Sequence, residues 1–160
     1  MFEELSLSVL DIAMNSLTAG AHTISIAVLE SHRRDWLIVR VRDDGHGMDA
    51  ATLERVLQHH ASTKTSRKKQ LGLGLALLRQ TAEMCGGTFS IRSAPGRGTS
   101  VTTSMRLSHV DRPPLGDLNS TVLTLCAAGP EVDVQLDYCT DEEKFHFSSQ
   151  ETASKGKVCV

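Results

Sequence analysis

The sequence predicts an α+β fold, a two-layer sandwich in which a mixed or antiparallel sheet is covered by helices on one face. Three observations carry this. Residues 3–19 and 71–85 repeat apolar side chains at helical spacing, and two pairs of β-branched runs, each pair separated by a few polar residues, read as strands. The resulting order, α-β-β-α-α-β-β, places successive strands close enough in sequence to pair while the helices cover them. With 160 residues, 40% hydrophobic and 22% charged, the chain makes one ordinary domain, or one domain with a small appendage. A disordered tail, a collagen-like repeat and a coiled coil are excluded by the same mix.

In the first helix Leu5, Val9, Ile12 and Ser16 recur at steps of four and three, and Leu10, Ala13 and Leu17 widen the stripe. Gly20 suits its stop. The strand-like runs Thr23–Leu29 and Trp36–Arg42 follow, and in the second Leu37, Val39 and Val41 alternate with a wetter set that includes Arg40 and Arg42. Asp43-Asp44-Gly45-His46-Gly47 breaks that strand, and Asp49 caps a short helix to about Leu57. Residues 58–70 are polar, basic and without period, which predicts a mobile loop. The second long helix carries Leu71, Leu75, Leu78, Ala82 and Cys85 and ends at Gly86-Gly87. Thr88–Ser93 and Thr99–Leu107 then read as a hairpin around Pro95-Gly96-Arg97-Gly98.

Pro113-Pro114 marks a boundary, dividing the chain into residues 1–107 and an extension, 108–160. In the extension Asp117 caps a helix over Leu118–Ala127, Val132–Tyr138 and Lys144–Ser148 are strand-like around an acidic turn, and the chain is expected to fray from Glu151. Thirteen Lys/Arg against ten Asp/Glu make the first part +3, whereas four against nine make the extension −5. The overall charge of −2 argues against nucleic acid as a partner, and the acidic extension suits a docking element for a protein. The apolar runs are too short for a transmembrane helix, and Met1-Phe2-Glu3-Glu4 lacks the charge of a secretory signal, so the expected compartment is the cytoplasm. Cys85, Cys126, Cys139 and Cys159 have no metal-ligand spacing and read as reduced apolar residues.

Three short patterns carry chemistry. Asp43-x-Gly45-x-Gly47 is either a charged turn or a strand-end carboxylate, placed to accept from an exocyclic amine, beside backbone that a ligand can approach closely. Gly72-x-Gly74 opens a helix behind Lys64, Arg67, Lys68 and Lys69, and helix N-termini attract phosphate. Neither the Rossmann nor the Walker pattern fits, because Leu77 stands where the third glycine belongs and no G-K-[ST] occurs. Asp11 and Asn15 are one helical turn apart, so they form either a solvated polar face or a pair able to place a water and ligate Mg²⁺.

Together, Leu10-Asp11-x-x-x-Asn15-Ser16, Asp43-x-Gly45-x-Gly47, Gly72-x-Gly74-Leu75 and Gly98-Thr99 resemble, in order and spacing, the signature boxes of the Bergerat-fold ATPases. That superfamily joins gyrase, heat-shock chaperones, histidine kinases and mismatch-repair ATPases, and the resemblance covers roughly residues 5–107. It is greatest to histidine-kinase-like and anti-sigma-factor-kinase-like domains. It implies that Asn15 holds Mg²⁺, that Asp43 accepts from the adenine amino group with Thr99 in support, and that Gly45 and Gly47 admit the base. It further implies that residues 58–70 form an ATP lid with Lys64 on a phosphate, that Gly72 and Gly74 cradle phosphates, and that Asp11 stands where hydrolysing relatives have a glutamate base. His59 and His60 are then ordinary lid residues. The function implied is that of a free-standing bacterial Mg·ATP-binding protein, a regulatory protein kinase or slow ATPase whose protein partner or phosphoacceptor docks on 108–160. The alternative is a nucleotide-responsive binding module without turnover. A DNA-repair role is disfavoured by the lack of a basic stripe.

Overall fold

The computed structural model describes residues 4–59 and 73–154. In chain order it contains α1 (Leu5–Thr18), β1 (Thr23–Ser31), β2 (Trp36–Asp43), α2 (Ala50–His59), α3 (Leu73–Met84), β3 (Thr88–Ala94), β4 (Gly98–Arg106), α4 (Leu118–Ala128), β5 (Asp133–Thr140), β6 (Lys144–Ser148) and α5 (Ser149–Ser154). The strands form one sheet in the order β3-β4-β2-β1-β5-β6. All neighbours are antiparallel except β1 and β5, which run parallel. The fold is thus the mixed, mostly antiparallel α+β sandwich that the sequence predicts.

One face of the sheet is dry. Register sets Ile26 beside Val41 and Leu136, and Val41 in turn beside Val101, so a continuous apolar row crosses β5, β1, β2 and β4. Ile24, Ile26, Leu37, Val39, Val101, Met105 and Val134 are almost wholly buried there, against Val9 and Ala13 of α1, Leu78 of α3 and Leu125 of α4. The period of two along the strands and of three and four along the helices meets in this single cluster.

The extension continues the same sheet and the same core. The first two N–H groups of α1 have no partner inside the helix, and Pro114 and Leu115 supply carbonyls at 3.0 and 2.8 Å to Leu5 and Ser6. Asp117 caps α4 through the Ser120 N–H at 3.0 Å, and α4 brings Leu118, Val122 and Leu125 onto the core. The parallel partnership of β5 with β1 joins residues about 110 positions apart, beginning at Thr23 and Asp133.

Element ends shift by one or two residues throughout, and two of the differences have a clear cause. The helix after Asp49 runs on to His59, because Asp49 caps the Thr52 N–H at 2.7 Å and Gln58 reaches Glu54 one turn back at 3.2 Å, so Gln58 and His59 are helical. Residues from Ser149 to Ser154 form α5 rather than a frayed end, with the Gln150 and Glu151 N–H groups received by Asp133 and Ser148. The remainder of the expected lid, including His60 and Lys64, lies outside the described residues, as does Gly72. Among the described residues no helix is long and apolar enough to cross a membrane.

A shared core has a direct consequence. Leu125→Ala, in the extension, is expected to cost about 2–5 kcal/mol through lost burial and a residual cavity. The single tryptophan, Trp36 on β2, reports it: its fluorescence and the far-UV dichroism should lose their denaturant midpoint together. A Trp36 transition indifferent to that substitution would mean that the extension unfolds separately.

Candidate functional site

At the C-terminal end of β2 the chain leaves the sheet between α1 and the β3–β4 turn. Asp43 is the last residue of the strand and is held from two sides: Ser16 Oγ donates to Oδ2 at 2.6 Å, and the Gly45 N–H donates to Oδ1 at 2.9 Å. Ser16 is a buried hydroxyl of α1, so its bond to Asp43 also offsets the cost of burying it. The following loop is clamped along its length. The His46 N–H meets the Ala19 carbonyl at 2.9 Å, the Gly96 N–H meets the His46 carbonyl at 2.8 Å, and the Met48 N–H meets Ser93 Oγ at 2.8 Å. Gly47 has φ of +70° and a Cβ there would stand 2.0 Å from the Ala94 carbonyl oxygen, so no other residue fits that approach.

Below this loop is a cavity of about 220 Å³, open at one side. Its walls are largely apolar, chiefly Ile12, Val41, Met48, Val56, Ile91 and Val101, and its polar side chains are Asp43, Thr99, Asn15, Ser16, Thr18 and His46. Thr99 lies opposite Asp43 in the β2–β4 register, and its hydroxyl is 2.8 Å from Ser93 Oγ, which also donates to the Gly98 carbonyl at 3.1 Å. Apolar walls around a few fixed polar atoms are the usual makings of a small-molecule site.

Along α1 the next turn back brings Asn15 and then Asp11 to the rim. Asn15 is half-buried, lines the cavity and makes no side-chain hydrogen bond to another described residue. Asp11 is engaged: its Oδ2 accepts from the Gly74 N–H at 3.0 Å, so a carboxylate of α1 sits on the first turn of α3. A Cβ on Gly74 would come within 2.5 Å of that oxygen, which is why the helices approach so closely only at a glycine. Burial pushes the Asp11 carboxyl above its ordinary range, and the Gly74 N–H only partly offsets this.

Of the residues singled out from sequence, Asn15, Asp43, Gly47 and Thr99 line one cavity, Gly45 orients Asp43, and Asp11 meets Gly74 at the rim. Gly72 and Lys64 lie outside the described residues. Sequence reasoning missed the parts played by Ser16 and Ser93. A serine in the buried stripe of α1 was the available signal for the first, and only the strand register reveals the second. Asp44 was also missed: it accepts from the His22 and Thr23 N–H groups at 2.7 and 2.9 Å and ties the start of β1 to the site. Among the described residues no cluster of three or more His, Cys, Asp or Glu could hold a metal unaided. One amide oxygen beside one carboxylate fits instead a cation such as Mg²⁺ that keeps waters or phosphate oxygens for most of its ligands.

Comparison with known proteins agrees with this arrangement. The family model of histidine kinase-, DNA gyrase B-, and HSP90-like ATPases matches residues 2–109. Sensor histidine kinase DcuS of Escherichia coli is 37% identical over 71 residues, 44% of this chain and 12% of its own length. Sporulation kinase D of Bacillus subtilis is 32% identical over 104 residues, covering 62% of this chain and 19% of the kinase. The chain therefore spans less than a fifth of those curated relatives. In fold it resembles the N-terminal domain of a DNA repair protein (TM-score 0.62, 15% identity, 92% of this chain and 53% of that one). It likewise resembles the Aquifex aeolicus MutL ATPase domain complexed with ADP (TM-score 0.57, 16% identity, 92% of this chain and 64% of that one). With more than half of its length matched, the chain belongs to the histidine kinase-, DNA gyrase B-, and HSP90-like ATPase family, and its nucleotide module is of the kind such kinases and ATPases carry.

Proposed function

We propose that this protein binds Mg·ATP and acts as a regulatory protein kinase or slow ATPase, with a protein partner or phosphoacceptor docking on the extension after residue 107. The observation that carries the reading is Asp43: a carboxylate fixed by Ser16 and the Gly45 N–H at the end of an apolar cavity. A cavity of about 220 Å³ suits a flat base and leaves sugar and phosphates to run along the rim past Asn15. Asp43, an acceptor only, selects a base with an amino group at that point, as adenine has; guanine presents a carbonyl oxygen at the equivalent position. Thr99 supports the same edge.

Asn15 is the oxygen donor of α1 free to hold Mg²⁺, which when bound neutralises phosphate charge. Asp11 is the base of this reading. While it is bonded to Gly74 it occupies a helix-start N–H that a phosphate also favours. Phosphates arriving there displace the carboxylate, and its raised pKa suits it to take a proton from an attacking water or acceptor hydroxyl. Lys64 and Gly72 complete the phosphate cradle in this reading. A bacterial, cytoplasmic setting is part of the same proposal, and the bacterial kinases among its relatives support the first half of it.

One observation favours the other reading, a nucleotide-responsive binding module without turnover: the Asp11 carboxylate already has a partner in Gly74. Phosphate transfer from labelled ATP to a co-purified protein distinguishes the two. Transfer or phosphate release supports the catalytic reading; a nucleotide-dependent change in partner capture with neither supports the module.

Asp43→Asn or Asp43→Ala should weaken ATP by about 1.5–3 kcal/mol, more than about tenfold, by titration calorimetry. Ser16→Ala, which only frees the carboxylate to rotate, should cost about 1 kcal/mol. Equal affinity of the native protein for ATP and GTP would remove the role of Asp43.

Asn15→Ala should abolish the Mg²⁺-dependent tightening of ATP binding while leaving metal-free affinity nearly intact. Asp11→Asn should keep nucleotide affinity and eliminate hydrolysis or transfer, because an amide cannot take the proton.

The same Asp11→Asn variant carries a pH signature in stability. The folded carboxyl titrates above its unfolded value, so its contribution is fully present below the unfolded pKa and is lost as pH rises through the folded one. The neutral amide still accepts from Gly74 and escapes that loss. Its melting temperature should therefore exceed the native value at neutral pH and converge with it in acid; a deficit at neutral pH would show that the charge itself holds α3.

A further inference from the structure

The opposite face of the sheet is built for something else. Along β2, Arg40 and Arg42 both point away from the helices, about 7 Å apart at the strand repeat. Register places Arg42, Ser100 and Arg92 in one cross-strand row, and Arg40, Thr102 and Ser90 in the next. With strands about 4.8 Å apart, Arg42 and Arg92 flank Ser100 across about 10 Å. Arg97 projects from the β3–β4 turn and closes one end. The result is an open groove of about 630 Å³ with a hydroxyl floor and four guanidinium groups around it.

The charge in this groove is uncompensated. All four arginines are exposed, and none forms an ion pair among the described residues; Arg40 Nε donates only to Thr102 Oγ1, at 3.3 Å. Asp43 reaches the groove wall, but it is tied to Ser16 and the Gly45 N–H and pairs with none of these arginines. By contrast, Arg106 on the same face stacks over Trp36 at 4.1 Å. Clustered like charges repel and add nothing to the fold, so the cluster gains its energy only from an anion. Guanidinium forks pair with carboxylates in a bidentate way that lysines do not reproduce.

The kind of anion is limited by the neighbouring residues. No aromatic side chain lines the groove, so bases would have no stacking platform. The row that contains Arg40 continues through Ala27 to Asp137, so a long polyanion lying across the sheet would run from cations onto a carboxylate. A short acidic stretch fits within the β3–β4–β2 half alone.

We propose that the groove formed by Arg40, Arg42, Arg92 and Arg97 is a docking site for an acidic segment of a partner protein, its carboxylates paired with the guanidinium groups. This surface adjoins the cavity at Asp43 and Thr99, but none of its four arginines lines that cavity, and the proposal does not depend on the cavity's reading. The test is fluorescence anisotropy of a fluorescein-labelled oligoglutamate with the full chain. Native protein should bind it saturably, and added salt should weaken the complex. The double reversal Arg42→Glu with Arg92→Glu should weaken binding by at least about tenfold, and the milder Arg42→Gln with Arg92→Gln should fall between. Arg79→Glu, on α3 away from the groove, should bind as the native protein does. Because these side chains are exposed and unpaired, the groove variants should melt no lower than the native chain, which separates lost binding from lost folding. Absence of oligoglutamate binding, binding unchanged by the reversals, or tighter binding of oligothymidylate of equal length would each overturn the proposal.

Discussion

The site depends on one constraint: the carboxylate at the end of β2 must be satisfied where three segments converge. Asp43 takes a hydroxyl from α1 and an N–H from its own loop, and that loop is in turn bonded to Ala19 on one side and to Gly96 and Ser93 on the other. Without Ser16, a half-buried acceptor would be under-satisfied and α1 would lose this polar tie to the sheet. Without the tight approach at Gly47, the loop could not reach the β3–β4 turn, and Thr99 would no longer be coupled to it through Ser93. The apolar cavity is what remains beneath these ties.

Local order in this chain is written in local signals, and those were legible. The apolar stripes of α1 and α3, the alternation in β2, the Asp117 cap and the glycine-bearing turns each depend on residues within about one or two turns of one another. The four short boxes were legible for a related reason, since Asp11 with Asn15, Asp43 with Gly45, and Gly98 with Thr99 are each near neighbours in sequence. What escaped was long-range. The bond from Asp11 to Gly74 joins residues 63 positions apart, and the parallel pairing of β5 with β1 spans about 110. No period encodes either, because both are decided by which faces are left to bury once the helices and hairpins exist. The short α5 escaped because side chains of β5 and β6 receive its first N–H groups, a tertiary cap with no trace in its own residues.

The two faces of the sheet differ in what they cost. The helix face returns the apolar area that makes the fold stable, including the part supplied by α4 and β5. The open face carries four unpaired guanidinium groups, and the rim of the cavity carries a carboxyl whose ionisation burial disfavours. Departures of this kind from the lowest-energy choice are expected where side chains serve a ligand rather than the fold. They fall on opposite sides of one β-strand pair, β2 and β4, which lines both the cavity and the arginine groove.

Asp11 and Gly74 are best understood as a matched pair. A glutamate at position 11 would drive its carboxylate one methylene further toward α3, into the first turn that Gly74 leaves open; any side chain at position 74 would collide with the aspartate already there. The shorter acid therefore has a structural reason, independent of whether it is the best length for a base. Its bond to Gly74 satisfies a helix-start N–H that has no partner within α3. A ligand that supplies a stronger anion at that point removes the need for the bond and frees the carboxylate in the same step. Under the proposed function, binding and the readiness of Asp11 to take a proton are linked through one N–H group, with α3 as the element that registers the exchange.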